Sequence, residues 1–223
     1  NNNNNNNNNN NDNKNNKFNN NDQKEFENIS IHLQKNLIQI TNIVYPNKDG
    51  SFTYGKHGYS KMNDGNGAFI EILKMDPYTK KNTLKYKYQD HVIFNKNTKD
   101  EKPFLHKDNI DKYSTKLSNV LKNINDSKGI IFVYSDYVDS GVIPVSLMLE
   151  QNGFQRYTED NETNLLDYSE NAKGGGGKIL SRCYLCGKPA SDKSHISSSS
   201  NYNHKFYQAK YILLSGKYEL SKI

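Results

Sequence analysis

Apolar residues recur along this chain in two rhythms, and each predicts an element. Ile29, Leu33, Leu37 and Ile40 share one helical face, which predicts an amphipathic helix of about three turns ending before Tyr45-Pro46. Residues 47–67 are rich in Gly, Asn, Asp and Lys and read as loop. Phe69, Ile70, Leu73 and Met75 suggest a short helix stopped by Asp76-Pro77. From Tyr78 to Asp108 only His91-Val92-Ile93-Phe94 is apolar, and no element is assigned. Tyr113, Leu117, Val120, Leu121 and Ile124 form the face of a helix from about Ile110 to Asn125. Gly129 to Ser135 is a continuous apolar run that predicts a strand buried on both faces. A helix follows, with Val142, Val145 and Leu149 on one side and Asn152-Gly153 as its stop. Tyr211 to Ser215, closed by Gly216, is a second strand-like run.

A buried strand leading into a helix is half of a βαβ unit, so the fold class is α/β. In open α/β sheets ligands gather at the carboxyl ends of strands, which nominates Tyr134, Ser135 and Asp136. At 223 residues the chain can bury a proper core. Its mean hydropathy of −0.97 is low, and much of that polarity sits in the first 22 residues, 17 of which are Asn. Such a tract cannot bury enough to fold and is expected to be disordered. The chain opens on Asn and has neither a signal peptide nor an apolar run near the roughly 20 residues that span a bilayer. The expectation is a soluble, cytoplasmic excerpt of a larger protein. A net charge of +6 is compatible with phosphate contacts, and equally with lysines that solvate a surface.

Both cysteines, Cys183 and Cys186, form a C-x2-C turn before Gly187, and His195 and His204 complete C-x2-C-x8-H-x8-H. Cys and His bind zinc tetrahedrally, and a loop-rich insertion without a core gains from such a staple. The histidine spacing is wider than in ordinary fingers, so a knuckle or ribbon is expected. A redox C-x-x-C lacks its usual βαβ context, free thiols in a loop are the remaining reading, and a disulfide does not suit the cytosol. No Glu stands beside a histidine to serve as base, which argues against catalytic zinc.

Four blocks carry a resemblance. Tyr134-Ser135-Asp136-Tyr137, Gly141, Pro144 and Leu149 to Tyr157 follow a "YS-x-Y/F … S/G-G … P-x-x-x-x-L-E-x-x-G-F/Y-x-R-Y" pattern. Gln39 to Pro46 and Ala209 to Gly216 agree as well, and Tyr113 to Leu117 matches "YS-x-K-L". Together they resemble motif IV and its surroundings in superfamily 2 helicases. The branch resembled is the Swi/Snf-like one of large nucleocytoplasmic DNA viruses, relatives of the poxvirus early transcription factor ATPase.

The resemblance implies a partial RecA-like parallel sheet, the truncated C-terminal lobe of a helicase. Residues 1–28 would be an Asn-rich linker, 29–108 a helical or irregular interdomain region, and 109–223 the start of the second RecA-like domain. An insertion over 158–207 would carry the zinc site. The runs ending at Ser135 and Ser215 would lie side by side in one sheet. Tyr134, Ser135, Ser140, Gly141 and Gly216 would face a nucleic-acid backbone, DNA or RNA, although Asp136 and Asp139 nearby would repel phosphate. Lys116 reads as a phosphate ligand or, more simply, as a solvated lysine.

The parent would use ATP and Mg²⁺, act in a cytoplasmic virus factory or virion, and meet a viral RNA polymerase. This chain alone would not hydrolyse ATP. It has no G-x-x-x-x-G-K-[ST] loop, no acidic box and no finger motif around its two arginines, Arg156 and Arg182. The alternative is a zinc-containing module that binds nucleic acid or the transcription machinery.

Overall fold

The computed structural model describes residues 20–60, 66–75, 82–93, 102–158, 164–167, 181–195, 204–217 and 220. The chain divides into two units, Asn1–Lys35 and Asn36–Ile223. The first contributes the beginning of helix α1 (Asn20–Ile40), which starts inside the segment expected to be a disordered linker. Residues 1–19, most of the Asn tract, lie outside the described residues. The helix predicted from Ile29, Leu33, Leu37 and Ile40 is present, but all four side chains are exposed.

Among the described residues the second unit is a mixed α/β body with three small sheets. Strands β1 (Val44–Pro46) and β2 (Phe52–Tyr54) form an antiparallel pair, and helix α2 (Gly55–Ser60) follows. Strands β3 (Phe69–Met75) and β4 (Asn82–Tyr88) form a longer antiparallel pair, with Phe69 opposite Tyr88 and Leu73 opposite Leu84. This corrects two expectations. Residues 52–60 are strand and helix rather than loop, and 69–75 is strand rather than helix. Phe69, Leu73 and Met75 fit a two-residue repeat as well as a helical one, and the partner strand selects between them. Helix α3 (Asp90–Ile93) is a single turn.

Helix α4 (Thr115–Asp126) follows a 3₁₀ turn at Ile110–Lys112, close to where periodicity placed it. Ser114 caps it, its Oγ accepting from Leu117 N–H at 2.9 Å while donating to the Asn42 carbonyl at 2.5 Å. A π-helical turn at Val138–Val142 leads into α5 (Ile143–Gln151). Asn152 and Gly153 (φ 92°) end it as expected, with Asn152 Nδ2 donating to the Leu105 carbonyl.

One apolar cluster joins these parts: Tyr45, Phe69, Tyr86 and Tyr88 from the hairpins, Phe104 and Ile110, Leu117 and Leu121 of α4, and Ile143 and Leu147 of α5. Phe69 stacks on Tyr88 with ring centroids 4.6 Å apart, and Phe104 meets Phe69 at 5.5 Å.

The principal correction concerns residues 129–135. They form no strand, and Ile130, Phe132 and Tyr134 stand exposed. A central strand needs a hydrogen-bonded neighbour and a covered face on each side. Neither is supplied among the described residues, because Leu117, Leu121, Ile143 and Leu147 face the aromatic cluster instead. The run at 211–215 is not its neighbour either. Strand β6 (Lys210–Tyr211) pairs in parallel with β5 (Gln155–Arg156), and Ile212 and Leu214 beyond it are exposed. Parallel pairing thus joins the two chain segments that flank the expected insertion. Among the described residues no helix is long and apolar enough to cross a membrane.

Candidate metal centre

Residues 181–195 and 204–208 build the site from short loops. Cys183 N–H donates to the Lys188 carbonyl and Gly187 N–H to the Cys183 carbonyl, both at 2.9 Å, which closes a tight turn around the two cysteines. Gly187 has φ 73°, a conformation a side-chain-bearing residue rarely adopts. The chain then forms a 3₁₀ turn at Lys193–His195 that presents His195. Asp192 caps this turn, its Oδ1 accepting from Ser194 N–H at 2.9 Å and Ser194 Oγ at 2.6 Å. The Ser194 hydroxyl and N–H hold the Asp192 carboxyl down at about 2.

His204 arrives from the other side. Tyr184 N–H donates to the Tyr207 carbonyl at 2.9 Å and Ala209 N–H to the Arg182 carbonyl at 2.7 Å, so 182–184 runs antiparallel to 207–209. Arg182 N–H donates to the Gly153 carbonyl, Gln155 N–H to Ala209 and Tyr157 N–H to Tyr211. The cysteine turn is therefore anchored to the end of α5 and to the β5–β6 pair.

The four predicted ligands converge. Cys183 Sγ lies 3.3 Å from His204 Nε2, Cys186 Sγ lies 3.2 Å from His195 Nε2, and the four donor atoms all lie within 4.8 Å of one another. A tetrahedral zinc site has S···N edges of roughly 3.6 Å from its bond lengths, close to the two S···N contacts here. Cys183 is fully buried and Cys186 half-buried. Burial pushes the Cys183 thiol up, but backbone N–H groups of Tyr207, Cys186 and Leu185 and the His204 ring outweigh it and bring it down to about 6. Nδ1 of His195 is buried without a partner among the described residues. The rings of His195 and His204 meet edge to face at 5.1 Å, and Phe206 covers His195 at 5.4 Å. Two thiols, two imidazoles and a hydrophobic cover are what a small tetrahedral cation takes, and this group can hold a metal ion.

The other nominated residues are placed differently. Tyr134 is exposed and its hydroxyl donates to Asp136 Oδ1 at 2.5 Å. Ser135 Oγ closes a turn with the backbone of Tyr137. Ser140 is buried, with Oγ donating to Gln39 Oε1 at 3.1 Å, and Gly141 packs directly against Ser135. Gly216 borders open space. Lys217 Nζ pairs with Asp139 Oδ1 at 2.6 Å, which ties the 215–217 bend to the turn at 138–142. Lys116 Nζ donates to Asn42 Oδ1 at 2.6 Å.

Sequence reasoning missed Glu150. It is wholly buried, and its carboxylate accepts from Leu165 N–H and Leu166 N–H at 2.7 Å each and from the Tyr211 hydroxyl at 2.5 Å. Burial raises the carboxyl to about 7 against those donors and the nearby Lys85 ammonium. The clue was available: α5 is apolar around nearly its whole circumference, so a Glu on it must be enclosed.

No family model and no solved structure matches this chain. It is 23% identical over 209 residues to a protein of Acanthamoeba polyphaga mimivirus named "Putative ATP-dependent RNA helicase". That similarity takes in 84% of this chain and 17% of the mimivirus protein, so the chain spans about a sixth of its relative's length. Over most of its length the chain is thus distantly similar to a viral protein that carries a helicase name.

Proposed function

We propose that these residues belong to a viral nucleic-acid-dependent ATPase of the helicase type, and that Cys183, Cys186, His195 and His204 hold a structural zinc ion within it. The observation that carries the first part is similarity across 84% of the chain to the mimivirus protein named as a helicase. The parallel register of Gln155 with Lys210 and Arg156 with Tyr211 supports the narrower reading, because the insertion then interrupts one α/β junction and leaves its halves adjacent. On this reading 109–223 belongs to the second RecA-like lobe, while the unpaired run at 129–135 counts against a complete sheet within these residues. Tyr134, on the motif-IV segment, and Gly216, at the end of the later run, remain the nominated positions open to a phosphate backbone. Contact with a viral RNA polymerase has no observation behind it.

Zinc here would supply a cross-link and no catalysis. Arg182 to Tyr184 and Tyr207 to Ala209 are held in register on one side of the ligands, and the metal would lock the loops that meet there. ATP and Mg²⁺ would bind through a phosphate loop that these 223 residues lack.

The coding frame around these residues provides the test. It is expected to encode a strand followed by G-x-x-x-x-G-K-[ST] upstream, and the complete protein should hydrolyse ATP faster with nucleic acid present. A complete frame without any phosphate loop overturns the motor assignment.

A further inference from the structure

We infer that the metal module carries a stacking platform for single-stranded nucleic acid, formed by Tyr184 and Tyr207. The proposal rests on the helicase reading only for its biological setting. Its physical basis is separate.

These tyrosines are opposite one another on the antiparallel segments that clasp the metal ligands, with ring centroids 5.7 Å apart. Side chains this large are normally covered, yet Tyr184 is 62% and Tyr207 45% exposed. Two residues along the same strand, Arg182 lies with its guanidinium 5.6 Å over the Phe154 ring. Exposed aromatic faces beside cations on the same segment are what bases and their phosphates use, and such stacking tolerates any base.

Charge selects the partner. Residues 181–195 and 204–210 hold five lysines and arginines against a single aspartate, Asp192, which is itself 3.5 Å from Lys188 Nζ. The chain as a whole is far more balanced, with 30 basic and 24 acidic residues. A divalent ion on two thiolates and two neutral imidazoles adds no net charge, so the module's cationic field persists when the metal is bound. Lys205 and Lys210, both exposed, flank Tyr207 along the chain. A protein partner would use exposed tyrosines and Leu185 as well, but it has no need of this excess of cations. The turn at 134–141 is a poorer platform, because Asp136 and Asp139 lie on it and its two serines are engaged within the fold.

Fluorescence anisotropy of labelled oligo-uridylate and oligo-deoxythymidylate, titrated with the zinc-loaded 223-residue chain, tests this. The Tyr184→Ala/Tyr207→Ala double variant is expected to bind at least about tenfold more weakly at unchanged zinc content, whereas the double Phe variant keeps its affinity. Lys205→Gln should lower the salt slope by about one. Preference between the two oligomers separates RNA from DNA. Wild-type affinity in the double Ala variant overturns the platform, as does an absence of binding by the wild-type chain, including the case in which only a protein is bound. If binding is instead lost in Tyr134→Ala, the platform fails while the helicase reading stands. A coding frame without a phosphate loop removes the helicase reading and leaves the binding result untouched.

Discussion

Cys183 Sγ and His204 Nε2 lie 3.3 Å apart although 21 positions separate them in the chain. The returning strand is what delivers His204 to the cysteine turn. Once Tyr207 accepts from Tyr184 N–H, the residues just before it must pass over the cysteine turn.

Removing a ligand should therefore loosen the strands as well as the metal. Cys186→Ser and His204→Ala are expected to lose stoichiometric zinc, measured by atomic emission on the purified chain. The Tyr184 and Ala209 amides should then exchange roughly tenfold faster or more, while the Tyr86 amide, bonded to the Leu165 carbonyl away from the site, keeps its protection. Chelation of the wild-type protein should reproduce both effects.

Glu150 makes stability depend on pH. Its carboxyl stands at about 7 in the folded chain against an ordinary 4.5, with burial as the leading cause. The folded state therefore binds the proton more tightly than the unfolded one. That contribution is fully present below about 4.5 and is lost as pH rises through about 7. The interval corresponds to on the order of 3 kcal/mol. Thermal unfolding of the wild-type chain should show this decline between pH 5 and 8. Glu150→Gln should flatten it and lower acid-side stability by about 1–3 kcal/mol, because the amide leaves one of two backbone N–H donors without an acceptor.

Gly141 has no space for a side chain. A Cβ there would stand 2.1 Å from Ser135 Oγ and 3.0 Å from Ser135 Cβ. Gly141→Ala is expected to destabilise the chain by about 1–3 kcal/mol in denaturant titrations. Adding Ser135→Gly should recover most of the loss, and two additive changes would show that the contact is not the cause.

Ser114 serves two elements with one hydroxyl, capping α4 and holding the Asn42 carbonyl. Ser114→Ala should cost about 1–2 kcal/mol, and Ser114→Thr, which keeps both bonds available, should cost less. Urea midpoints for the three proteins provide the comparison.

Local patterns were read correctly where an element depends on its own residues. Helices α4 and α5 follow from apolar spacing and the Asn152-Gly153 stop, contained within the segments themselves, whereas the Ser114 cap emerged only in the structure. The grouping of Cys183, Cys186, His195 and His204 was legible because two thiols and two imidazoles in a core-poor stretch have few other reasons to cluster. The β3–β4 hairpin was not, since the spacing of Phe69, Leu73 and Met75 suits either repeat until Tyr88 and Leu84 come opposite. The run at 129–135 failed for the converse reason: its composition suits a central strand, but composition provides no neighbour to bond.

What the chain determined by itself is the set of short-range structures and the chemical identity of the donor group, because helix caps, turns and ligand types are properties of residues near one another in sequence. Tertiary structure decided which strands pair, that Ser140 is buried and Tyr134 exposed, that Glu150 is enclosed by Leu165, Leu166 and Tyr211, and that Tyr184 meets Tyr207. Those outcomes depend on contacts between distant segments, where the closure entropy of the intervening chain is balanced against burial and hydrogen bonding.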